Sequence, residues 1–241
     1  MAKFIALVSG KGGTGKTTSA LNLSQALVHL GKKVIALDAN LTTPNLALQL
    51  GYVNPEGNIN KFLRKENSLK DIIYTHDCGL SIIPASPSYI EFQKTNPQDI
   101  GEVFHHLDKL AEFVIVDSSS GLGLEVSEVL KNCDEAVLVV NPNLSSVMDA
   151  LKTIKLAEEH DVSIAGVILN MSNKGRHELT QKEIEETLGH LVLANVPYHK
   201  KFRKALHQEL PLTYLYKRSK PAKEFVKAAS FLSLDHEIRM K

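Results

Sequence analysis

Seven short apolar runs punctuate the chain: residues 4 to 8 (FIALV), 33 to 37 (KVIAL), 80 to 83 (LSII), 113 to 116 (FVIV), 136 to 140 (AVLVV), 163 to 169 (SIAGVIL) and 191 to 196 (LVLANV). They are rich in Val and Ile and nearly continuous rather than alternating, as strands covered on both faces of a parallel sheet should be. The segments between them carry the helical period. Ala20, Leu21, Leu23, Ala26, Leu27 and Leu30 share one side of a helix over Thr18 to Leu30, and Ser146 to His160 repeats the pattern. Strand and helix in alternation predict an α/β fold: a doubly wound, mostly parallel sheet flanked by helices, with ligand chemistry at the carboxyl ends of the strands. Asp38, Asp117, Asn141 and Asn170 each stand at or just beyond the end of an apolar run, so one cleft can collect all four. Residues 52 to 78, with Pro55, Gly57 and short amphipathic pieces around Ile59 to Phe62, read as a surface excursion carrying short helices. With no repeat and no low-complexity linker, residues 1–241 are expected to form a single domain.

Composition narrows the class only a little. Apolar residues at 43% and charged residues at 23% belong to an ordinary globular protein and set aside disordered and fibrous classes. Cys78 and Cys133 lack CxxC spacing, which leaves two buried free thiols as the expectation, without a disulfide framework or a metal site. Met1 leads straight into the first strand with no signal-peptide pattern, and no apolar stretch approaches membrane-spanning length, so the expected location is cytoplasmic. The net charge of +1 hides an asymmetry: residues 200 to 241 carry 11 Lys and Arg against 4 Asp and Glu, so this end of the chain can present a positive face or simply a solvated one.

The first strand runs into Gly10-Lys11-Gly12-Gly13-Thr14-Gly15-Lys16-Thr17-Thr18, and a helix follows. Gly10-x-x-x-x-Gly15-Lys16-Thr17 in that context is the pattern of a phosphate-binding loop. Glycines let successive N–H groups turn toward a phosphate, the helix N-terminus adds partial positive charge, Lys16 reaches the terminal phosphates and Thr17 offers its hydroxyl to Mg²⁺. The same residues also spell Gly10-x-Gly12-x-x-Gly15, a dinucleotide fingerprint, with Asp38 near the place of a ribose-binding acid. That rival has no use for Lys16 and Thr17, nor for an acid after a later strand. Asp117, after Phe113 to Val116, stands where a Walker B acid holds Mg²⁺, its alternative being a strand-end cap. Gly121 is placed to bring an N–H to the terminal phosphate.

Lys11, directly after the first glycine, makes the loop similar to the deviant Walker A motif of the MinD and ParA ATPases. The resemblance covers nearly the whole chain. Asp38 to Gly51 is similar to the family's switch I segment, Asp117-Ser-Ser-Ser-Gly121 to its switch II, and Asn141-Pro142-Asn143-Leu144-Ser145-Ser146 to a later signature. Within the family, the chain resembles the MinD-type septum site-determining proteins of archaea and bacteria. The resemblance implies an ATPase that binds ATP or ADP with Mg²⁺ on Thr17, Asp38 and Asp117, and that forms an ATP-dependent homodimer in which Lys11 of one copy crosses to the phosphates of the other. It also implies an adenine contact for Asn170 and a base lying beside Val196 and Pro197; on the residues alone, Asn170 reads as a turn residue at a strand end.

Three positions depart from the family pattern. Asn40 stands where many members carry a second acid, Ser119 replaces a Pro, and Asn143 replaces a Glu. An amide can orient a water but cannot take its proton, so slow hydrolysis is expected. The functional expectation is a MinD-like, ATP-gated dimerising switch that positions or recruits a partner protein in cell division or intracellular positioning. One alternative is a ParA-like DNA-partition ATPase, binding DNA through His199-Lys200-Lys201-Phe202-Arg203-Lys204 and Lys217-Arg218-Ser-Lys220. Another is an iron–sulfur carrier ATPase, which the two cysteines do not match. Peripheral contact with a membrane is a family trait. Here Phe225, Ala229 and Leu232 instead fit a last helix packed on the core, with only Asp235 to Lys241 beyond it and no autonomous anchor.

Overall fold

The computed structural model describes residues 1–173 and 175–239. Eight strands join one sheet in the order β3-β4-β2-β5-β1-β6-β7-β8. They are β1 (Lys3–Val8), β2 (Val34–Asp38), β3 (Tyr74–Thr75), β4 (Ser81–Ile83), β5 (Phe113–Asp117), β6 (Glu135–Val140), β7 (Ser163–Ser172) and β8 (Val192–Pro197). All pairings are parallel except the edge pair of β3 with β4. The expected doubly wound sheet is therefore observed. β3 is two residues long, too short for any hydrophobic period to mark it.

Each strand run feeds both faces of the sheet, which is why the runs are continuous. In β1, Phe4, Ala6 and Val8 enter one apolar core, while Ile5 and Leu7 enter the other. The first core lies under α4 (Tyr89–Gln93), which packs Phe92 against it, and under α5 (Gly101–Leu107), α6 (Leu124–Leu130), α7 (Leu144–Glu159) and α8 (Gln181–Leu188). The second lies under α1 (Lys16–His29) and α11 (Lys220–Arg239). Between them in sequence, α9 (Lys201–His207) and α10 (Leu212–Leu215) join the start of α11 through Ala205, Leu212 and Ala222.

Two expectations need correction. The segment over residues 52 to 78 is more than a surface excursion: α2 (Ile59–Leu63) and α3 (Leu69–Ile72) bury Ile59 and Ile72 completely in the first core. Short amphipathic pieces carry too few residues to announce how deeply they sit. The last helix runs on to Arg239 instead of ending before Asp235. Asp235 pairs with the buried Lys3 at 2.8 Å, and Glu237 with Lys32 at 2.7 Å, which fastens the extra turns to the body. Met240 and Lys241, also expected beyond the helix, lie outside the described residues. Phe225, Ala229 and Leu232 do pack on the core.

β1 lies between β5 and β6, and the chain leaves it first toward β2 and later toward β6. The carboxyl end of β1 is thus the point where the winding reverses. A crevice opens there in open α/β sheets because neighbouring connections depart to opposite faces.

Candidate nucleotide-binding site

The loop from Gly10 to Gly15 leaves β1 at that reversal and opens into α1 at Lys16. Two glycines are dictated by their surroundings. A Cβ on Gly10 would strike the backbone of Asp149 in α7, and Gly15 has φ +88° with the Asn170 side chain against it. The cleft above the loop, about 260 Å³, is lined by Ser9, Lys11 to Thr18, Asn40, Thr43, Asn45, Gln49 and Ser120.

Beneath the loop, Asp38 and Asp117 sit side by side at the ends of β2 and β5, both fully buried. Lys16 Nζ donates to Asp117 Oδ1 at 2.8 Å and also to the carbonyl of Ser118, leaving one of its three protons for the cleft. Asp38 accepts from the backbone N–H groups of Asn40, Asn45 and Leu46 at 3.1, 3.2 and 3.0 Å. Burial, and then the adjacent Asp117 carboxylate, push the Asp38 carboxyl up to about 7. Two buried carboxylates facing one ammonium leave a surplus of negative charge. Asp117 Oδ2 is buried and has no hydrogen-bond partner among the described residues. Together with the half-buried Thr17 at the start of α1, this donor set fits a hard divalent cation that takes oxygen ligands.

The loop is held from below by two asparagines. Asn170 Nδ2 donates to the Thr14 carbonyl at 2.7 Å; Asn141 Nδ2 donates to the same carbonyl at 3.4 Å and to the Asn170 carbonyl at 3.1 Å. Asn170 lies inside β7, because the strand extends three residues beyond the apolar run. Its side chain therefore serves the loop as well as facing an apolar pocket of about 110 Å³. That pocket is lined by Gly15, Thr18, Asn170, Met171, Pro197, Tyr198, His199, Phe202 and Arg203. Its exposed wall is mainly apolar, and Pro197 belongs to it.

Lys11 behaves differently from Lys16. Half-buried at the rim, its Nζ makes long contacts among the described residues, 3.4 Å to Asn143 Oδ1 and 3.4 Å to Ser145 Oγ. Asn143 caps α7, accepting from the Ser146 N–H at 2.9 Å. The Gly121 N–H donates to the Ser9 carbonyl at 2.9 Å instead of pointing into the cleft, and Ser120 takes the place expected of Gly121 in the wall. Asn40 is held by Thr43, which receives its amide N–H and returns a backbone N–H, and lies 3.2 Å from Ser119 Oγ.

Pattern reasoning did not single out Ser9, Thr43, Asn45, Gln49 and Ser120 as wall residues. Gln49 arrives by accepting from Thr18 Oγ1 at 3.2 Å. Small polar residues in loops have no periodic signal, so only chain folding brings them to the cleft. Cys78 and Cys133 are both buried, one in each core, and burial pushes both thiols up. His76 Nδ1 lies 3.2 Å from Cys78 Sγ.

Comparison with known proteins gives a consistent result. The family described as the CobQ/CobB/MinD/ParA nucleotide binding domain matches residues 5–212. An uncharacterized ATP-binding protein of Methanocaldococcus jannaschii is 36% identical over 242 residues, covering 100% of this chain and 92% of its own. The septum site-determining protein MinD of Pyrococcus horikoshii, complexed with Mg-ADP, superposes with a TM-score of 0.91 at 31% identity, with 96% of each chain covered. MinD in a MinC:MinD cell division protein complex of Aquifex aeolicus superposes with a TM-score of 0.85 at 26% identity, again with 96% of each chain covered.

Proposed function

The chain belongs to the MinD/ParA family of P-loop ATPases, and on that premise we propose that it is a MinD-like ATPase working as one unit over residues 1–241, an ATP-gated switch that dimerises and recruits or positions a partner protein. The observation that carries this reading is the contrast between the two lysines of the loop. Lys16 is buried on Asp117 within its own chain, whereas Lys11 waits at the rim on two 3.4 Å contacts that cost little to exchange. A lysine so placed is free to serve phosphates held by a second copy.

In this reading the N–H groups of Gly12 to Thr18 and the third proton of Lys16 bind the β and γ phosphates. Thr17, Asp38 and Asp117 hold Mg²⁺, which supplies charge neutralisation at the phosphate oxygens. Asn170 and Pro197 face the base. Lys11 of the second copy adds positive charge where the transferred phosphoryl group develops negative charge, as an arginine finger does. Leu122, Leu124, Leu144 and Met148, all exposed and belonging to the segments around Ser120 and Asn143, offer apolar area for that contact.

The test is light scattering of the wild type and Lys11→Ala with ADP or with a slowly hydrolysed ATP analogue. A dimer that needs the triphosphate and Lys11 is expected; monomers under every condition would sink the proposal. A DNA-partition role has one supporting feature, the exposed Lys200, Arg203, Lys204, Lys217, Arg218 and Lys220 around α9 and the start of α11. Lys201 and Lys217 each also sit over a tyrosine ring, at 4.7 and 5.6 Å, which engages part of this charge within the fold. Loss of an ATP-dependent, salt-sensitive mobility shift of duplex DNA in Lys204→Glu is the outcome that role requires.

A further inference from the structure

Beside the nucleotide cleft lies a second cavity, of about 350 Å³, lined by residues that include Ser119 and Glu125. The two spaces share Asn40, Thr43 and Ser120 as a common wall. Glu125, in the first turn of α6, accepts from Ser119 Oγ through one carboxylate oxygen and from Thr42 Oγ1 through the other. Ser119 Oγ in turn lies 3.2 Å from Asn40 Oδ1. Two departures from the family pattern, Asn40 for an acid and Ser119 for a Pro, are thus in contact, and the second brings a hydroxyl that reaches a carboxylate.

A serine hydroxyl has one proton to give, and a carboxylate is a stronger acceptor than an amide oxygen, so the Ser119 proton belongs with Glu125. With its proton on Glu125, the Ser119 oxygen is left as an acceptor beside Asn40, the wall residue that the second cavity shares with the nucleotide cleft. Asn40 Oδ1 already takes the Thr43 N–H at 3.0 Å and cannot bind a proton at neutral pH. With Asp38 and Asp117 committed to the cation in the reading above, the carboxylate behind the serine is the acceptor that the second cavity adds.

The geometry points to Glu125 as a positioning residue that, through Ser119, orients the attacking water and takes its proton in place of the acid missing at Asn40. The step rests on ATP hydrolysis at this site, as proposed above. The water oxygen bonds to the γ phosphorus while the bond from that phosphorus to the bridging oxygen breaks, its electron pair leaving on ADP. One water proton passes to Ser119 Oγ as the Ser119 proton passes to Glu125, which later returns it to phosphate or solvent. ATP and water are the only reactants.

The experiment compares single-turnover hydrolysis and analogue binding in the wild type, Glu125→Gln, Glu125→Asp, Glu125→Ala and Ser119→Ala. Glu125→Gln is expected to lower kcat by roughly tenfold to a hundredfold, with KM and the affinity for a hydrolysis-resistant ATP analogue unchanged. Glu125→Asp should recover most of the rate, and added formate should restore Glu125→Ala, because the cavity admits a small carboxylate. Ser119→Ala should match Glu125→Gln and resist formate. A Glu125→Gln rate equal to wild type, or a Glu125→Ala that formate leaves unmoved, overturns the relay while leaving the ATPase reading intact. Analogue binding without any wild-type hydrolysis overturns both the relay and the hydrolytic part of that reading.

Discussion

Asn170, on β7, fastens the phosphate loop by donating its side-chain amide to the carbonyl of Thr14 at 2.7 Å, across 156 positions of sequence. The bond is buried, and Gly15 is a glycine partly because this amide occupies the space where its Cβ would be. A residue that the family resemblance assigns to the base is also a strut under the glycine-rich loop.

Asn170→Ala should therefore affect more than base recognition. Leaving the Thr14 carbonyl with only the longer 3.4 Å bond from Asn141 costs up to about 1 to 3 kcal/mol, and a looser loop should weaken binding of ADP and of inorganic triphosphate alike. Calorimetric titration with both ligands checks this; a loss confined to the adenine nucleotide would restrict Asn170 to the base.

Asp38 predicts a pH dependence with a definite sign. Its carboxyl sits at about 7 in the folded protein against 3.8 unexposed to these influences, chiefly because it is buried and then because Asp117 is adjacent. Between those values the folded chain holds a proton that the unfolded chain has released, so this contribution is fully present below the lower value and is lost as pH rises through about 7. In chelator-treated protein, Tm should fall over that window from this group, and Asp38→Asn should flatten the fall while abolishing Mg²⁺-dependent nucleotide binding. Calorimetric scans with and without Mg²⁺ measure both.

Asn40→Asp should raise turnover, because it adds a proton-accepting group beside Ser119, at about the 3.2 Å separation now seen for the amide oxygen. Steady-state phosphate release is the measurement. Unchanged or lower turnover would count against a water-handling role for position 40.

Phe225 is fully buried in the second core at the heart of α11. Phe225→Ala should cost about 3 to 5 kcal/mol of stability, visible as a lower denaturant midpoint with an unchanged slope. Deleting residues 222 to 241 would remove Phe225, Ala229 and Leu232 together, so unfolding rather than loss of a surface anchor is the expected result of that truncation. Among the described residues no helix is long and apolar enough to cross a membrane. Liposome co-sedimentation with exposed α11 lysines replaced, such as Lys223→Glu, tests surface contact with the core left in place.

Much of the fold and the centre of the site were legible from the chain. The seven apolar runs became strands because continuous Val- and Ile-rich segments can be satisfied only by burial on both faces. Gly10 to Thr18 formed a loop ending in a helix N-terminus because its glycines and the following helical period are local properties. Asp38 and Asp117 came side by side because both end strands of one sheet. Local pattern did not reveal β3, the buried depth of Ile59 and Ile72, or the full length of α11, since two-residue strands and charged helix ends carry no period.

By itself, then, the sequence determined seven of the strands, the helical period between them and the glycine-rich loop that opens into α1, since periodicity and loop geometry are set within a few residues. Only the tertiary structure decided that Gly121 turns its N–H to Ser9, that Asn170 and Asn141 brace Thr14, that Lys11 rests on Asn143, and that Glu125 stands behind Ser119 and Thr42. Those contacts join residues from different connections of the sheet. Their partners are chosen by strand order and by the angle at which each loop leaves its strand, quantities that no local stretch of sequence encodes.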